Sequence, residues 1–312
     1  MVTIDPAALR ERIVQTRPTV VKDTRGYTVF RVANAVVLVL VMAVMLYPFV
    51  NIVAQSFSRE GYINAGQVNL VPRGFNIETY QTVMADGMFW TNYKNTVLYT
   101  TVATAIAMVL TTTFAYAIAK QHLRGRTFFI GVAVFTMFFN GGLIPNYVLI
   151  NALGFTNTLW AIVLPNAISV FNLLVMKSFF ENLPSELEEA AAIDGLSTYG
   201  TLLRIVLPLS KAVIATMILF YAVTFWNSWF SAFLYLDKAE LFPVTVYLRN
   251  LIAGASTANS VSGAVASDES TMQIASNIKS VTMVLTVLPI ICLYPFVQKY
   301  FVSGVMLGAV KG

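Results

Sequence analysis

Long runs without charged residues dominate the chain and are separated by polar or charged loops. An uncharged run of about 20 residues is long enough for a helix to cross the hydrocarbon core of a bilayer. One such run, 127–176, is too long for a single span, and Pro145 with the polar stretch 146–157 divides it. The pattern predicts six membrane-spanning helices, at about 32–54, 95–119, 127–145, 158–180, 212–236 and 281–297.

Lys and Arg are unevenly distributed between the two sets of loops. Fourteen lie in the two terminal tails and the loops on their side, and six lie in the opposite loops. Because cytoplasmic loops carry the excess of Lys and Arg, both termini are predicted to be cytoplasmic. The predicted organisation is a tail 1–31, a six-span domain 32–303 with a cytoplasmic loop 181–211 and extracytoplasmic loops 55–92 and 237–280, and a tail 304–312.

The composition agrees with this interpretation. Of the 312 residues, 57% are hydrophobic and only 11% are charged, and the mean hydropathy is +0.70. Soluble domains carry roughly 25% charged residues. These values exclude an ordinary soluble enzyme and predict an all-α integral membrane protein.

Few residues could support catalysis or metal binding. The chain has one cysteine, Cys292, and one histidine, His122, which argues against an intrachain disulfide, a His/Cys metal site and a Cys–His nucleophile. No Asp, Glu or His lies inside a predicted span, which argues against an ion-coupled carrier. The chain also lacks the GxxxxGK[ST] phosphate loop, so it is not expected to bind ATP. We expect no catalytic residue, no metal and no cofactor on this chain.

The cytoplasmic segment 182–211 has the strongest local signals. Ser185 and Glu188 have capping-box spacing, three alanines follow, and Gly195 ends the pattern. The segment predicts a short acidic helix, a break, and a second helix from about Ser197 to Pro208. Small side chains would let a partner approach the backbone closely, but composition alone also allows an ordinary solvated loop helix.

The spacing Glu189-Ala190-Ala191, Gly195, Ile205-x-Leu207-Pro208 resembles the EAA motif of ABC importer permeases. The resemblance implies the ABC type I importer permease fold. It also implies that the short helix is a coupling helix that sits in a groove of the ATPase subunit. The residues to which the resemblance assigns this role are Glu189, Ala190, Ala191, Ala192, Ile193, Asp194 and Gly195.

Other segments resemble the oligosaccharide, maltose-type branch of these permeases. They are FNGGLIP at 139–145, Trp226-Asn227, and the C-terminal region 294–312. The resemblance implies a sugar importer in the bacterial inner membrane. It further implies a second homologous permease in a heterodimer, two ATPase subunits that carry ATP and Mg²⁺, and an extracytoplasmic sugar-binding protein. Nucleic acid is not an expected partner.

Uncharged polar and aromatic residues recur in the fourth and fifth predicted spans. Amides bind sugar hydroxyls, and aromatic faces pack against the C–H faces of sugar rings. The same residues are also common as hydrogen-bonding links between spans, and for each single residue this alternative stays open. The candidates for the substrate path are Asn166, Ser169 and Asn172, which the spacing places on roughly one helix face, and Thr224, Trp226, Asn227, Trp229 and Ser231.

The extracytoplasmic loop 237–280 follows the fifth predicted span. Its part 256–270 is small and polar, which predicts a mobile loop or a tolerated insertion. In maltose-type importers the corresponding loop reaches into the docked binding protein, and the resemblance implies a similar contact here. The candidates are Asp237, Lys238, Phe242, Arg249 and Asn250.

Three alternatives to a sugar importer remain open at this point. An importer for another solute, such as a peptide or polyamine, would carry the EAA motif equally well. A membrane enzyme would need clustered His, Asp, Glu or Cys, and the only clustered carboxylates lie in the segment 182–211. A membrane scaffold without transport activity would not need an ATPase partner.

Overall fold

The computed structural model describes residues 25–261, 277–292 and 295, and of 254–261 it describes the backbone alone. Contacts divide the chain into two compact units, 1–51 and 52–312. The described residues contain helices and turns and no strand. The helices are α1 (Arg25–Ser56), α2 (Glu60–Asn64), α3 (Glu78–Ala85), α4 (Gly87–Ala119), α5 (Arg126–Phe138), α6 (Leu143–Ala152), α7 (Trp160–Asn166), α8 (Val170–Glu181), α9 (Ser185–Ile193), α10 (Thr198–Leu209), α11 (Lys211–Trp226), α12 (Phe230–Tyr235), α13 (Val244–Val261) and α14 (Asn277–Cys292).

The described part of the first unit, 25–51, lies entirely in α1. This helix has 32 residues, and none of the side chains in its most hydrophobic window is buried. It is described from Arg25 onward, seven residues before the predicted span, so residues 25–31 of the predicted tail 1–31 are helical. An apolar helix with exposed side chains is what lipid contact requires.

The second unit is organised around α4, a helix of 33 residues. Asp86 caps its start by accepting a hydrogen bond from the Met88 N–H at 2.8 Å. Helices α8 and α11 pack along it, and Ala103, Ala107 and Ala115 are completely buried. Small side chains at these contacts allow the helix backbones to approach closely. The predicted span 95–119 lies inside this helix.

Three pairs of consecutive helices are sharply bent in the structure. The first two pairs cover the third and fourth predicted spans, and the third pair joins α10, in the predicted loop 181–211, to α11, in the fifth predicted span. The angles are 114° between α5 and α6, 52° between α7 and α8, and 87° between α10 and α11. The prediction that Pro145 ends the third helix is wrong. That helix ends at Phe138, the break falls at 139–142 where Gly142 has φ +89°, and Pro145 lies in the first turn of α6. A proline is tolerated there because the N–H groups of a first turn have no intrahelical partner.

The fifth predicted span, 212–236, is also interrupted. Helix α11 ends at Trp226, and α12 begins only at Phe230. By length and composition, two described helices can cross a membrane, α1 and α4, and counting each bent pair as one span raises the number to five. The first part of the sixth predicted span, 281–292, lies in the shorter apolar helix α14. Of its remaining residues, 293–297, only Pro295 is described.

Part of the predicted loop 256–270 is helical. The backbone of α13 continues to Val261, and 262–276 lie outside the described residues.

Candidate functional site

A cavity of about 1210 Å³ lies between α4, the break between α7 and α8, α11 and α14. Among the described residues that line it there are hydroxyl, amide and aromatic side chains, and none with a formal charge. Its size exceeds the range of about 300–1,000 Å³ that is typical of small-molecule sites. The cavity is therefore large enough for an uncharged or weakly charged polar solute.

The structure brings together five of the eight candidates for the substrate path. Asn166, Ser169, Asn172, Thr224 and Trp226 line the cavity. Asn227, Trp229 and Ser231 lie beyond the end of α11 and are not part of the lining. The Asn227 amide donates to the Val223 carbonyl at 2.9 Å.

The three polar residues of the fourth span do not share one face of a continuous helix, and that prediction is wrong. The helix is interrupted at 167–169, between the last turn of α7 and the start of α8. Ser169 is the N-cap of α8, and its hydroxyl accepts a hydrogen bond from the Asn172 N–H at 3.4 Å. A helix break at a cavity wall exposes backbone polar groups as well as side chains.

Tyr221 ties this break to two other helices. Its hydroxyl accepts a hydrogen bond from the Ser169 N–H at 3.0 Å and lies 2.6 Å from the Thr111 hydroxyl of α4. Tyr221 is 2% exposed and Thr111 is completely buried. Sequence analysis missed this residue. The available signal was a tyrosine in an apolar helix, whose buried hydroxyl needs a partner, but the sequence did not show which partner.

A second link joins α11 to α14. The Trp226 indole N–H donates to the Thr286 carbonyl at 3.2 Å, and both groups are buried. The Trp226 ring also meets the Tyr93 ring edge-on at 5.9 Å between centroids. Trp226 thus lines the cavity and also holds the wall in place.

The predicted break at Gly195 has the geometry of a Schellman motif. The Leu196 N–H donates to the Ala191 carbonyl at 2.9 Å, the Gly195 N–H donates to the Ala192 carbonyl at 3.1 Å, and Gly195 has φ +77°. This left-handed conformation favours glycine. The predicted capping box at the other end of α9 is wrong, because the helix begins at Ser185 itself and no side chain caps it.

Most of the EAA residues are exposed. Ala191 is buried, and the side chain of Ile193 is 86% exposed. An apolar side chain with that exposure is a candidate contact for a partner. The exposed members of the motif are Glu189, Ala190, Ala192, Ile193, Asp194 and Gly195.

Ion pairs connect α9 to the end of α4, and α8 to the start of α5. Glu188 of α9 pairs with Lys120 at the end of α4. Glu181 pairs with Lys177 at 2.8 Å and with Arg126 at the start of α5. Burial raises the pKa of Glu181, but the hydrogen bonds and charges of Lys177 and Arg126 outweigh burial, and its pKa lies below the ordinary value. The carboxylate is therefore held in its charged form.

The segment after α12 is fixed by hydrogen bonds to neighbouring loops. The Asn157 amide donates to Asp237 at 3.0 Å, and the Asp237 N–H donates to the Asn157 side chain at 2.7 Å. Phe242 packs against the buried cluster around Tyr99 and Ile162. Of the candidates for binding-protein contact, Asp237, Lys238 and Asn250 are exposed, Arg249 is half-buried, and Phe242 is largely taken up by packing.

A further contact joins α13 to the start of α4. The Tyr247 hydroxyl donates to the second oxygen of Asp86 at 2.6 Å. Burial, the hydrogen bond and the negative charge of Asp86 all raise the pKa of Tyr247 above its ordinary value. The phenol therefore stays neutral and remains a donor.

Three comparisons bear on identity. Residues 126–306 match the family model "Binding-protein-dependent transport system inner membrane component". The chain is 40% identical to Protein LplC of Bacillus subtilis (strain 168) over 294 residues, which is 93% of this chain and 97% of that protein. It is 37% identical to the polygalacturonan/rhamnogalacturonan transport system permease protein YtcP of the same organism, over 86% of this chain and 93% of that protein.

A solved structure shares the fold. It is the crystal structure of a bacterial ABC transporter involved in the import of the acidic polysaccharide alginate, with a TM-score of 0.79 and 31% identity. The match covers 89% of this chain and 99% of that chain. The resemblance to ABC importer permeases is thus confirmed. The chain belongs to the family of binding-protein-dependent transport system inner membrane components, and it is a membrane-embedded transport subunit and not an enzyme.

Proposed function

We propose that this chain forms half of the translocation path of an ATP-driven, binding-protein-dependent sugar importer. The observation that carries the proposal is the large cavity, whose described lining combines hydroxyl, amide and aromatic side chains with aliphatic ones and has no formal charge. Hydroxyl and amide groups hydrogen-bond sugar hydroxyls, and aromatic faces cover the C–H faces of sugar rings.

The named relatives support sugar as the cargo. YtcP is named for polygalacturonan and rhamnogalacturonan, and the solved neighbour for alginate, an acidic polysaccharide. We therefore place oligosaccharides and polysaccharides first among the cargo classes.

The remaining parts of the transporter follow from the family. We propose six spans with both termini in the cytoplasm, a second homologous permease in a heterodimer, two ATPase subunits and an external sugar-binding protein. ATP and Mg²⁺ would bind to the ATPase subunits, and this chain would need no cofactor. The exposed residues Asp237, Lys238 and Asn250 are the best placed of the outer candidates to touch the binding protein.

We further propose that α9 docks on the ATPase. Glu186 and Glu189 are both exposed, and neither forms an ion pair with another described residue. Glu188 differs, because it is paired with Lys120. Glu186 and Glu189 therefore have the same charge and are both exposed, and only Glu189 belongs to the EAA motif.

Glu189→Ala is expected to weaken assembly with the ATPase, whereas Glu186→Ala is expected to leave it nearly unchanged. A hydrogen bond to a charged group is worth about 1.5–3 kcal/mol, or roughly tenfold to a hundredfold in affinity. The measurement is co-purification of the ATPase with each variant at several salt concentrations. Equal losses would show that the acidic turn acts only through its overall charge.

Asn172→Ala is expected to reduce sugar uptake about tenfold, because it removes an amide from the cavity wall. No hydrogen bond of the Asn172 side chain is formed within the part of the chain that the structure describes, so the amide is available to the cargo. Asn227→Ala is the control, since Asn227 is not part of the lining and its amide already donates to the Val223 carbonyl. Uptake into vesicles and thermal stability are measured for both. A loss of stability without loss of uptake in Asn172→Ala would identify an interhelical link.

A further inference from the structure

A cation is stacked on two aromatic rings in the segment that follows α11. The guanidinium carbon of Arg249 lies 3.9 Å from the ring centroid of Phe233 and 5.3 Å from that of Trp229. The two rings are 6.3 Å apart between centroids. Trp229 is 41% exposed and Phe233 is 44% exposed, so both rings remain accessible. We call these three residues the arginine platform.

The stacking fixes Arg249 without using its hydrogen-bonding capacity. A guanidinium has five N–H donors in a planar fork, and contact with a ring face consumes none of them. No carboxylate lies within ion-pair distance of Arg249 among the described residues. A half-buried cation that is held in place and has free donors is suited to a planar anion, and a carboxylate matches its fork in a bidentate arrangement.

The platform is adjacent to the cavity along the chain. Trp226, the last residue of α11, lines the cavity, and Trp229 follows three residues later. Three residues of chain span at most about 11 Å between Cα atoms, so Trp229 lies close to Trp226. The platform lies on the side of α11 that leads into the predicted extracytoplasmic segment, where cargo would enter.

We propose that the arginine platform binds the carboxylate of an acidic sugar unit as the cargo enters the path. This inference rests on the proposed function and narrows the cargo to uronate-containing oligosaccharides. Arg249 receives the carboxylate, and the exposed ring faces of Trp229 and Phe233 cover the apolar face of the same or the next sugar ring. Because no described lining residue of the cavity is charged, a bound carboxylate is not trapped further along the path.

The test uses the complete transporter in vesicles with its binding protein outside. The probes are trigalacturonate and its methyl ester, in which a methyl group on each carboxyl removes the negative charge and leaves the sugar rings unchanged. Each is supplied at a concentration that saturates the binding protein, determined beforehand by titration. Arg249→Gln is expected to lower uptake of trigalacturonate about tenfold and to leave uptake of the ester nearly unchanged. Arg249→Lys keeps the charge but loses the planar fork, and its uptake of trigalacturonate is expected to lie between those of the wild type and Arg249→Gln.

The control is Arg73→Gln, which removes an exposed cation from the same predicted face and is expected to leave uptake of both probes unchanged. An equal loss of both probes in Arg249→Gln would overturn the inference and would place Arg249 at a protein contact. Unchanged uptake of both would also overturn it. If the wild-type transporter imports only neutral sugars, the inference fails but the proposed function stands. If it imports another solute and no sugar, the proposed function itself fails.

Discussion

Replacing Gly195 with valine is expected to lower ATP-driven uptake at least about tenfold while the complex still assembles. The left-handed backbone at φ +77° disfavours any side chain, and the cost for a β-branched residue is about 1–3 kcal/mol. An added Cβ would meet no atom within 4 Å, so the effect acts through the backbone and through the surface offered to a partner. Uptake and ATPase activity are measured on the reconstituted complex.

The matched control for this experiment is Gly154→Val. Gly154 has φ +70°, has the same open space around an added Cβ, and ends α6 with the same two hydrogen bonds, from Gly154 to Asn151 and from Phe155 to Ile150. The two substitutions therefore impose the same local strain at different places. We expect similar losses of thermal stability and a loss of coupling only in Gly195→Val. Equal losses of uptake would contradict the coupling role of α9.

Tyr221→Phe is expected to destabilise the protein by about 1–3 kcal/mol, because it leaves the buried Thr111 hydroxyl and the Ser169 N–H without their partner. The measurement is the midpoint of thermal inactivation of the purified complex. The added substitution Thr111→Val removes the orphaned hydroxyl, so the double variant is expected to lose less stability than the two single losses together. Additive losses would show that the two hydroxyls are not coupled.

Sequence analysis located helices best where the apolar pattern is continuous. The span 95–119 lies within α4, since a long uncharged run has few alternatives in a membrane protein. Gly195 was also recognised, because a left-handed helix end has a strong local preference for glycine. In both cases the determining interactions are local in sequence, and a single chain segment contains the information.

The breaks inside spans were harder to predict, because they depend on distant residues. The gap between α7 and α8 carries an N–H that is satisfied by Tyr221, more than 50 residues away. The Pro145 error has a related cause, since proline fits the first turn of a helix as well as its end, and hydropathy does not distinguish the two positions. Arg249 was expected to lie on the outer side, but its contact with Phe233 requires the packing of α13 beside α12.

The ion pair between Glu188 and Lys120 links α9 to the C-terminal end of α4, so that α4 can transmit a movement along its axis. Lys120 follows the last residue of α4, and Asp86, which caps the first turn, also holds Tyr247 of α13. A helix of 33 residues is about 50 Å long and resists compression, because each of its turns is hydrogen-bonded. If the proposed ATPase displaces α9, we expect an axial shift of α4 that reaches Tyr247 of α13, because side-chain contacts hold α4 at both ends.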